Sequence, residues 1–202
     1  AHRPWKVADP AAKDYVGMGA FNLVRREAYE KIGTYERLRL EILDDMKLGE
    51  AIKKAGLRQH MALGPGLVSL RWAVGAMGIV GNLEKNMFAY LEFRVLWMLG
   101  ACLAFFFLGI WPFLALWLAP GWAKMGFAVG LVLCAGNFWG MARYSGVSPL
   151  FFLTYPVAAA LGAYAAARSA FVAIRDGGVT WRGTKYSLSE LRKGIEDRVI
   201  ED

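Results

Sequence analysis

Residues 95–118 read VLWMLGACLAFFFLGIWPFLALWL, with no Asp, Glu, Lys or Arg among them. A helix needs about 20 predominantly apolar residues to cross a hydrocarbon core, so this run predicts a membrane-crossing helix. Two more apolar segments follow, Met125–Ala142 and Leu150–Ile174. The last is again long enough to cross, and the middle one is marginal in length. Trp111, Trp117, Trp122, Trp139, Tyr144 and Tyr155 fall largely near the segment ends, as expected of aromatic side chains that prefer the membrane interface. Pro112 and Pro156 are expected to kink their helices, and the run Ala158-Ala159-Ala160-Leu161-Gly162-Ala163 permits close helix packing.

Outside these runs the chain is ordinary in charge. Of its 202 residues, 56% are hydrophobic and eight are tryptophan, above the share of about 45–50% in soluble domains. The excess sits in residues 95–174, between charged stretches at 1–94 and 175–202. The net charge of +7 does not indicate nucleic acid, because Lys and Arg alternate with Asp and Glu instead of forming a stripe. It suits a cytoplasmic, membrane-facing surface that meets anionic lipids and phosphorylated substrates. Cys102 and Cys134, both inside apolar runs, are expected to be buried thiols. Ala1-His2-Arg3-Pro4-Trp5 shows no initiator Met, signal core or cleavage pattern, so the chain is expected to continue a longer protein.

N-terminal to the spans, Ala73–Arg94 mixes Met77, Ile79, Val80, Leu83 and Phe88 with Glu84, Lys85, Glu92 and Arg94. This composition predicts one or two helices lying in the interface. Residues 1–72 read as α/β. Short strands are expected at Tyr15–Gly19, Leu57–Leu63 and Gly66–Leu70, the last two around a Gly64-Pro65-Gly66 turn, and a short strand or extended segment at Ala20–Val24. A helix is expected over Arg25–Ile32, stopping at Gly33. A second carries Leu43, Met46, Leu48, Ala51, Ile52 and Ala55 at helical spacing and stops at Gly56. Asp44 and Asp45 open it, where free N–H groups and the helix dipole favour ionised carboxylates.

The order of features from Gly17-Met18-Gly19 through Leu43-Asp44-Asp45-Met46-Lys47-Leu48-Gly49 to Arg71-Trp72, just ahead of a membrane region, resembles the second half of membrane-bound family 2 glycosyltransferases, the ceramide glucosyltransferase-like enzymes among them. The resemblance implies the C-terminal part of a GT-A catalytic domain over residues 1–72, followed by interfacial helices at 73–94, about three transmembrane helices in 95–174 and a charged tail at 175–202. It implies an inverting transfer from a nucleotide-sugar donor, a UDP-sugar above all, to the hydroxyl of a membrane-lipid acceptor. Asp45 would be the general base with Asp44 beside it, since taking a proton from an attacking hydroxyl suits a carboxylate. Arg71 would neutralise charge on the leaving diphosphate, Trp72 would wall the sugar or acceptor, and Gly17, Met18 and Gly19 would lie under the donor sugar. Val68 stands where processive members carry Gln or Arg, which counts against a polysaccharide synthase. Residues 179–186, Val-Thr-Trp-Arg-Gly-Thr-Lys-Tyr, resemble a Trp, basic, Gly, variable, Tyr signature of the same group. An interfacial anchor is the other reading of that stretch.

The family's Asp-x-Asp motif, which holds the nucleotide and a divalent cation (Mg or Mn), occurs nowhere in the chain. These 202 residues alone are therefore expected to be inactive, with the nucleotide-binding half and its metal ligands elsewhere. His2 and His60 stand apart from other ligand types, so no zinc site is expected. The bilayer is the expected partner and nucleic acid is not. The expected protein is an integral multi-pass one with its catalytic part cytoplasmic. Three crossings would put Arg175, Arg182, Lys185, Arg192 and Lys193 on the opposite side, against the positive-inside tendency. Either the middle segment is re-entrant or the acids of the tail weaken the argument. The alternatives in function are a fragment of a polysaccharide synthase and a non-enzymatic scaffold or transporter subunit. The latter would want polar residues along its helices, and Asn137 is the main one.

Overall fold

The computed structural model describes residues 3–39, 41–62, 64, 67, 69–181 and 183–193. The chain is mostly helical and divides into two compact units, residues 1–72 with 177–202 and residues 73–176.

In the first unit, α1 (Arg26–Lys31) ends at Gly33, whose φ of 85° is the left-handed value glycine adopts without strain. The second helix, α2 (Asp44–Lys54), stops before Gly56 at φ 71°. Both stops match the sequence reading. Apolar side chains at helical spacing on α2, Leu48 and Ile52, meet Ile32 and Leu38 in a small buried core flanked by Val24, Ala51, Ala55 and Leu57. Lys53 reaches back from α2 to donate to the carbonyls of Val7 and Asp9 at 2.9 and 2.6 Å. Asp14 is buried and takes the backbone N–H and guanidinium of Arg3. The Arg3 guanidinium is held above its ordinary pKa by that hydrogen bond and by the charge of Asp14.

The strand expected at Tyr15–Gly19 is not formed, and of the two forms expected over Ala20–Val24 the strand is not adopted; neither stretch has a ladder partner among the described residues. Among the described residues of 57–70 there is again no strand, while Leu63, Pro65, Gly66 and Val68 lie outside them. An extended segment becomes a strand only when a neighbour takes its N–H and C=O groups, and here the N–H groups of Val16 and Met18 go to the side chains of Gln59 and Asn22 instead. The sheet that does form is an antiparallel hairpin of β1 (Gly178–Trp181) and β2 (Thr184–Ser187), pairing Val179 with Tyr186 and Trp181 with Thr184. Its two-residue loop contains Gly183 at φ 82°, the conformation such tight turns require. The stretch set out above as a signature or an interfacial anchor is thus a hairpin, with Arg182 outside the described residues. A capping box follows. The Ser187 N–H donates to the Glu190 carboxylate at 3.0 Å, and the Glu190 N–H returns to Ser187 Oγ at 3.2 Å, opening a helical stretch over 188–193.

In the second unit, α3 (Gly75–Tyr90) is a single helix over the stretch read as interfacial. It packs on α7 (Tyr155–Arg175), burying Val80 and Phe88. Ser169 of α7, 1% exposed, accepts the Phe88 N–H at 3.0 Å and donates to the Glu84 carbonyl. Those two α3 groups are four residues apart and are the pair an α-helix bonds directly, so the hydroxyl is wedged into that turn. Arg168 pairs with the Glu84 carboxylate beside it. The turn between α3 and α4 (Val95–Ala104) places Glu92 and Phe93 at φ 53° and 56°, unusual for residues with side chains. Phe93 is held there, buried edge-on against Phe88 with ring centres 5.5 Å apart.

Val95–Leu118 is one helical run of α4, a π-helical turn at Phe105–Ile110, and α5 (Trp111–Leu118). The wide turn lies just ahead of Pro112, which has no N–H to return to the Leu108 carbonyl and a ring that crowds it. Pro156 does not kink its helix. It occupies the first turn of α7, where its missing N–H costs nothing, after a 3₁₀ turn at Pro149–Thr154. The middle apolar segment is longer than its composition suggested. As α6 (Gly121–Ser145) it runs unbroken for 25 residues to a left-handed Gly146 cap. At 1.5 Å per residue that is about 37 Å, against a hydrocarbon core of about 30 Å. Three helical runs among the described residues, Val95–Leu118, Gly121–Arg143 and Pro149–Arg175, are therefore long and apolar enough to cross a membrane. Trp117 and Trp122 are each 85% exposed, so broad apolar surface faces outward. Gly109 and Gly162 let the runs touch: a Cβ on Gly109 would stand 2.3 Å from the Ala159 Cβ, and one on Gly162 would stand 2.7 Å from the Phe105 ring. Cys102 and Cys134 are free but half-buried, not buried as their apolar surroundings suggested, because helix faces in this unit point outward.

Candidate functional site

The site is built where the extended segment around Gly17 crosses the start of α2. Helix N-termini leave N–H groups without partners, and both acids use them. Asp44 Oδ1 accepts the Asp45 N–H at 3.0 Å, and Asp45 Oδ1 accepts the Met46 N–H at 2.8 Å. The other oxygen of Asp45, Oδ2, takes no hydrogen bond from any described residue and lies beside Gly19, where an added Cβ would stand 3.0 Å from it. The carboxylate is thus pinned through one oxygen and open through the other.

Gly17 is needed for this approach. A Cβ there would sit 1.8 Å from the Asp45 carbonyl oxygen, a clash that only backbone movement relieves. One turn further along α2, a Cβ on Gly49 would come within 2.1 Å of the Val16 carbonyl oxygen. Asp45 and Gly49 are four residues apart and share one face, so Val16 and Gly17 lie backbone to backbone along that strip while Gly19 meets the Asp45 carboxylate. Met18 points outward and is exposed, while its N–H donates to Asn22 Oδ1 at 3.2 Å, closing the turn.

Of the residues singled out by resemblance, the structure brings Gly17, Gly19 and Asp45 together, with Asp44 adjacent. Arg71 and Trp72 lie on the non-helical stretch that ends the first unit; both are exposed, Trp72 by 51%. Val68 and Arg182 fall outside the described residues. Among the described residues no group of three His, Cys, Asp or Glu side chains gathers to hold a metal ion.

One participant was not legible in the sequence. Gln59, 8% exposed, accepts the Val16 N–H at 3.2 Å through Oε1 and donates through Nε2 to the Gly49 carbonyl. It lies in a stretch that reads as a strand, where an isolated glutamine looks like a solvent-facing residue. On the outer side of α2, Glu50 pairs with Lys47 and Lys54 at 2.5 and 3.5 Å. Burial pushes the Glu50 carboxyl up, but the two ammonium groups outweigh it and hold it below the usual carboxylate range.

Compared with protein-family models, with curated proteins and with solved structures, the chain gives no match.

Proposed function

We propose that this chain carries the acceptor side of an inverting, membrane-bound family 2 glycosyltransferase of GT-A type, similar to the ceramide glucosyltransferase-like enzymes. Asp45 takes the proton from a membrane-lipid hydroxyl as that oxygen attacks the anomeric carbon of a nucleotide-sugar, a UDP-sugar above all. The observation that carries the reading is the Asp45 carboxylate, anchored through Oδ1 at a helix start and open through Oδ2 against a glycine turn with no side chain in the way. A general base needs this combination of fixed direction and an unoccupied acceptor. Arg71 would meet the leaving diphosphate in fork geometry and Trp72 would pack on sugar or acceptor. The three apolar runs, long enough to cross a membrane, support a membrane-lipid acceptor, with the catalytic part assigned to the cytoplasmic face. The nucleotide and any cation would be bound by residues outside this chain, which contains no Asp-x-Asp.

The test uses the complete protein in membranes, incubated with a panel of radiolabelled nucleotide sugars and followed by lipid extraction. The wild type is expected to label one lipid class, and Asp45→Asn to abolish labelling while inserting normally. Unchanged turnover in Asp45→Asn would overturn the assignment of the base.

A further inference from the structure

Where Val16 and Gly17 cross α2 the seam is backbone against backbone, and this raises the question of what sets its register. Side chains that interlock usually fix one element on another, but Gly17 and Gly49 offer none at the two crossing points. A slip of one residue would push the side chain of Val16 or Met18 into the space kept free beside the Asp45 carbonyl. It would also carry Gly19 away from Oδ2.

We propose that Gln59 is the positioning residue that sets this register and so holds the glycine turn against Asp45, an inference that rests on Asp45 being the base. Gln59 bonds both sides of the seam with one side chain, accepting from Val16 on the segment and donating to Gly49 on the helix. The job requires an acceptor and a donor at the end of a three-bond arm. Glutamate keeps the acceptor and loses the donor. Methionine fills the same volume with neither, and asparagine is one methylene too short to span both partners. The amide is buried, so each lost bond leaves a backbone group without water to replace it.

A glutamine that only held the fold together would lower stability when changed and leave turnover per folded molecule alone. The experiment therefore combines two readouts on the complete membrane-embedded protein, Gln59→Met and Gln59→Glu being compared with wild type. In hydrogen exchange read by mass spectrometry, the peptide covering residues 14–19 is expected to exchange about tenfold faster in Gln59→Met. In transfer assays, kcat is expected to fall about tenfold to a hundredfold while the KM for the nucleotide sugar stays within about twofold, as for a displaced reacting group. Gln59→Glu, which keeps the bond to Val16, retains more turnover than Gln59→Met. Exchange over 14–19 equal to wild type in both variants would overturn the proposal, as would faster exchange with unchanged kcat. Absence of transfer by the wild type would instead remove the base, and the exchange comparison would still decide whether Gln59 holds the turn.

Discussion

Gly19 lies against the Asp45 carboxylate, close enough that a methyl group on it would stand 3.0 Å from Oδ2, while Gly17 lies against the Asp45 backbone, where the same methyl would stand 1.8 Å from the carbonyl oxygen. The two glycines flank one residue, yet they limit different things. At Gly19 the obstacle is the end of a side chain that can turn; at Gly17 it is a helix.

Gly19→Ala and Gly17→Ala should therefore separate activity from stability. Gly19→Ala should fold at nearly the wild-type melting temperature and lose about tenfold to a hundredfold in turnover, because the new methyl rotates or covers the open oxygen. Gly17→Ala should destabilise the first unit by about 1–3 kcal/mol or more, the range for overpacking against unyielding neighbours. Thermal unfolding in detergent together with transfer assays reads both effects.

The wedge of Ser169 predicts a mild effect for deletion and a larger one for bulk. In Ser169→Ala the turn of α3 between Glu84 and Phe88 can close on itself, so the loss should stay near about 1 kcal/mol. Ser169→Leu places a large side chain at a 1% exposed site between α3 and α7 and should cost clearly more. Denaturant titration of the detergent-solubilised protein, followed by tryptophan emission, would rank the two.

Glycines along the apolar runs should differ in sensitivity. Gly109→Ala drives a Cβ to 2.3 Å from the Ala159 Cβ and must push α7 away from the π turn, at about 1–3 kcal/mol. Gly130→Ala on α6 meets nothing within 4 Å and should be neutral or slightly stabilising, since alanine favours the helix by up to about 1 kcal/mol. Melting temperatures of the two variants in one detergent test the contrast.

Acid should weaken the first unit partly through Glu50. Its folded-state pKa lies below the ordinary value, so ionised Glu50 stabilises the fold. That contribution is complete above the unfolded-state value, about 4.3, and is lost as pH falls through the folded-state value. Glu50→Gln should lower stability at neutral pH and flatten the fall on acidification. Unfolding midpoints measured from neutral pH down to the acid limit of the fold check both parts.

Much of the helical framework was readable along the chain because its signals are local. Gly33 and Gly56 stop α1 and α2 as their sequence positions indicate, and Asp44 and Asp45 open α2. The strands failed for the opposite reason. Tyr15–Gly19 has the composition of a strand, but its N–H groups go to side chains, that of Val16 to Gln59 and that of Met18 to Asn22. The sheet that exists lies in the 179–186 stretch, which reads in sequence as a signature or an interfacial anchor. In the site, the acid pair was visible from residue type and setting, whereas Gln59 was not, since its partners are 43 and 10 residues away.

The sequence by itself determined that the first and last apolar runs are long enough to cross a bilayer, where α1 and α2 stop, and where two carboxylates meet free N–H groups. Each of these depends on residues adjacent or one turn apart. Only the tertiary structure decided that Gly17 and Gly49 form a crossing without side chains, that Gln59 bonds both its sides, and that Ser169 enters a turn of α3 from 81 residues away. Such contacts follow from how packed elements meet, and the free energy that selects them is shared among residues that no local pattern connects.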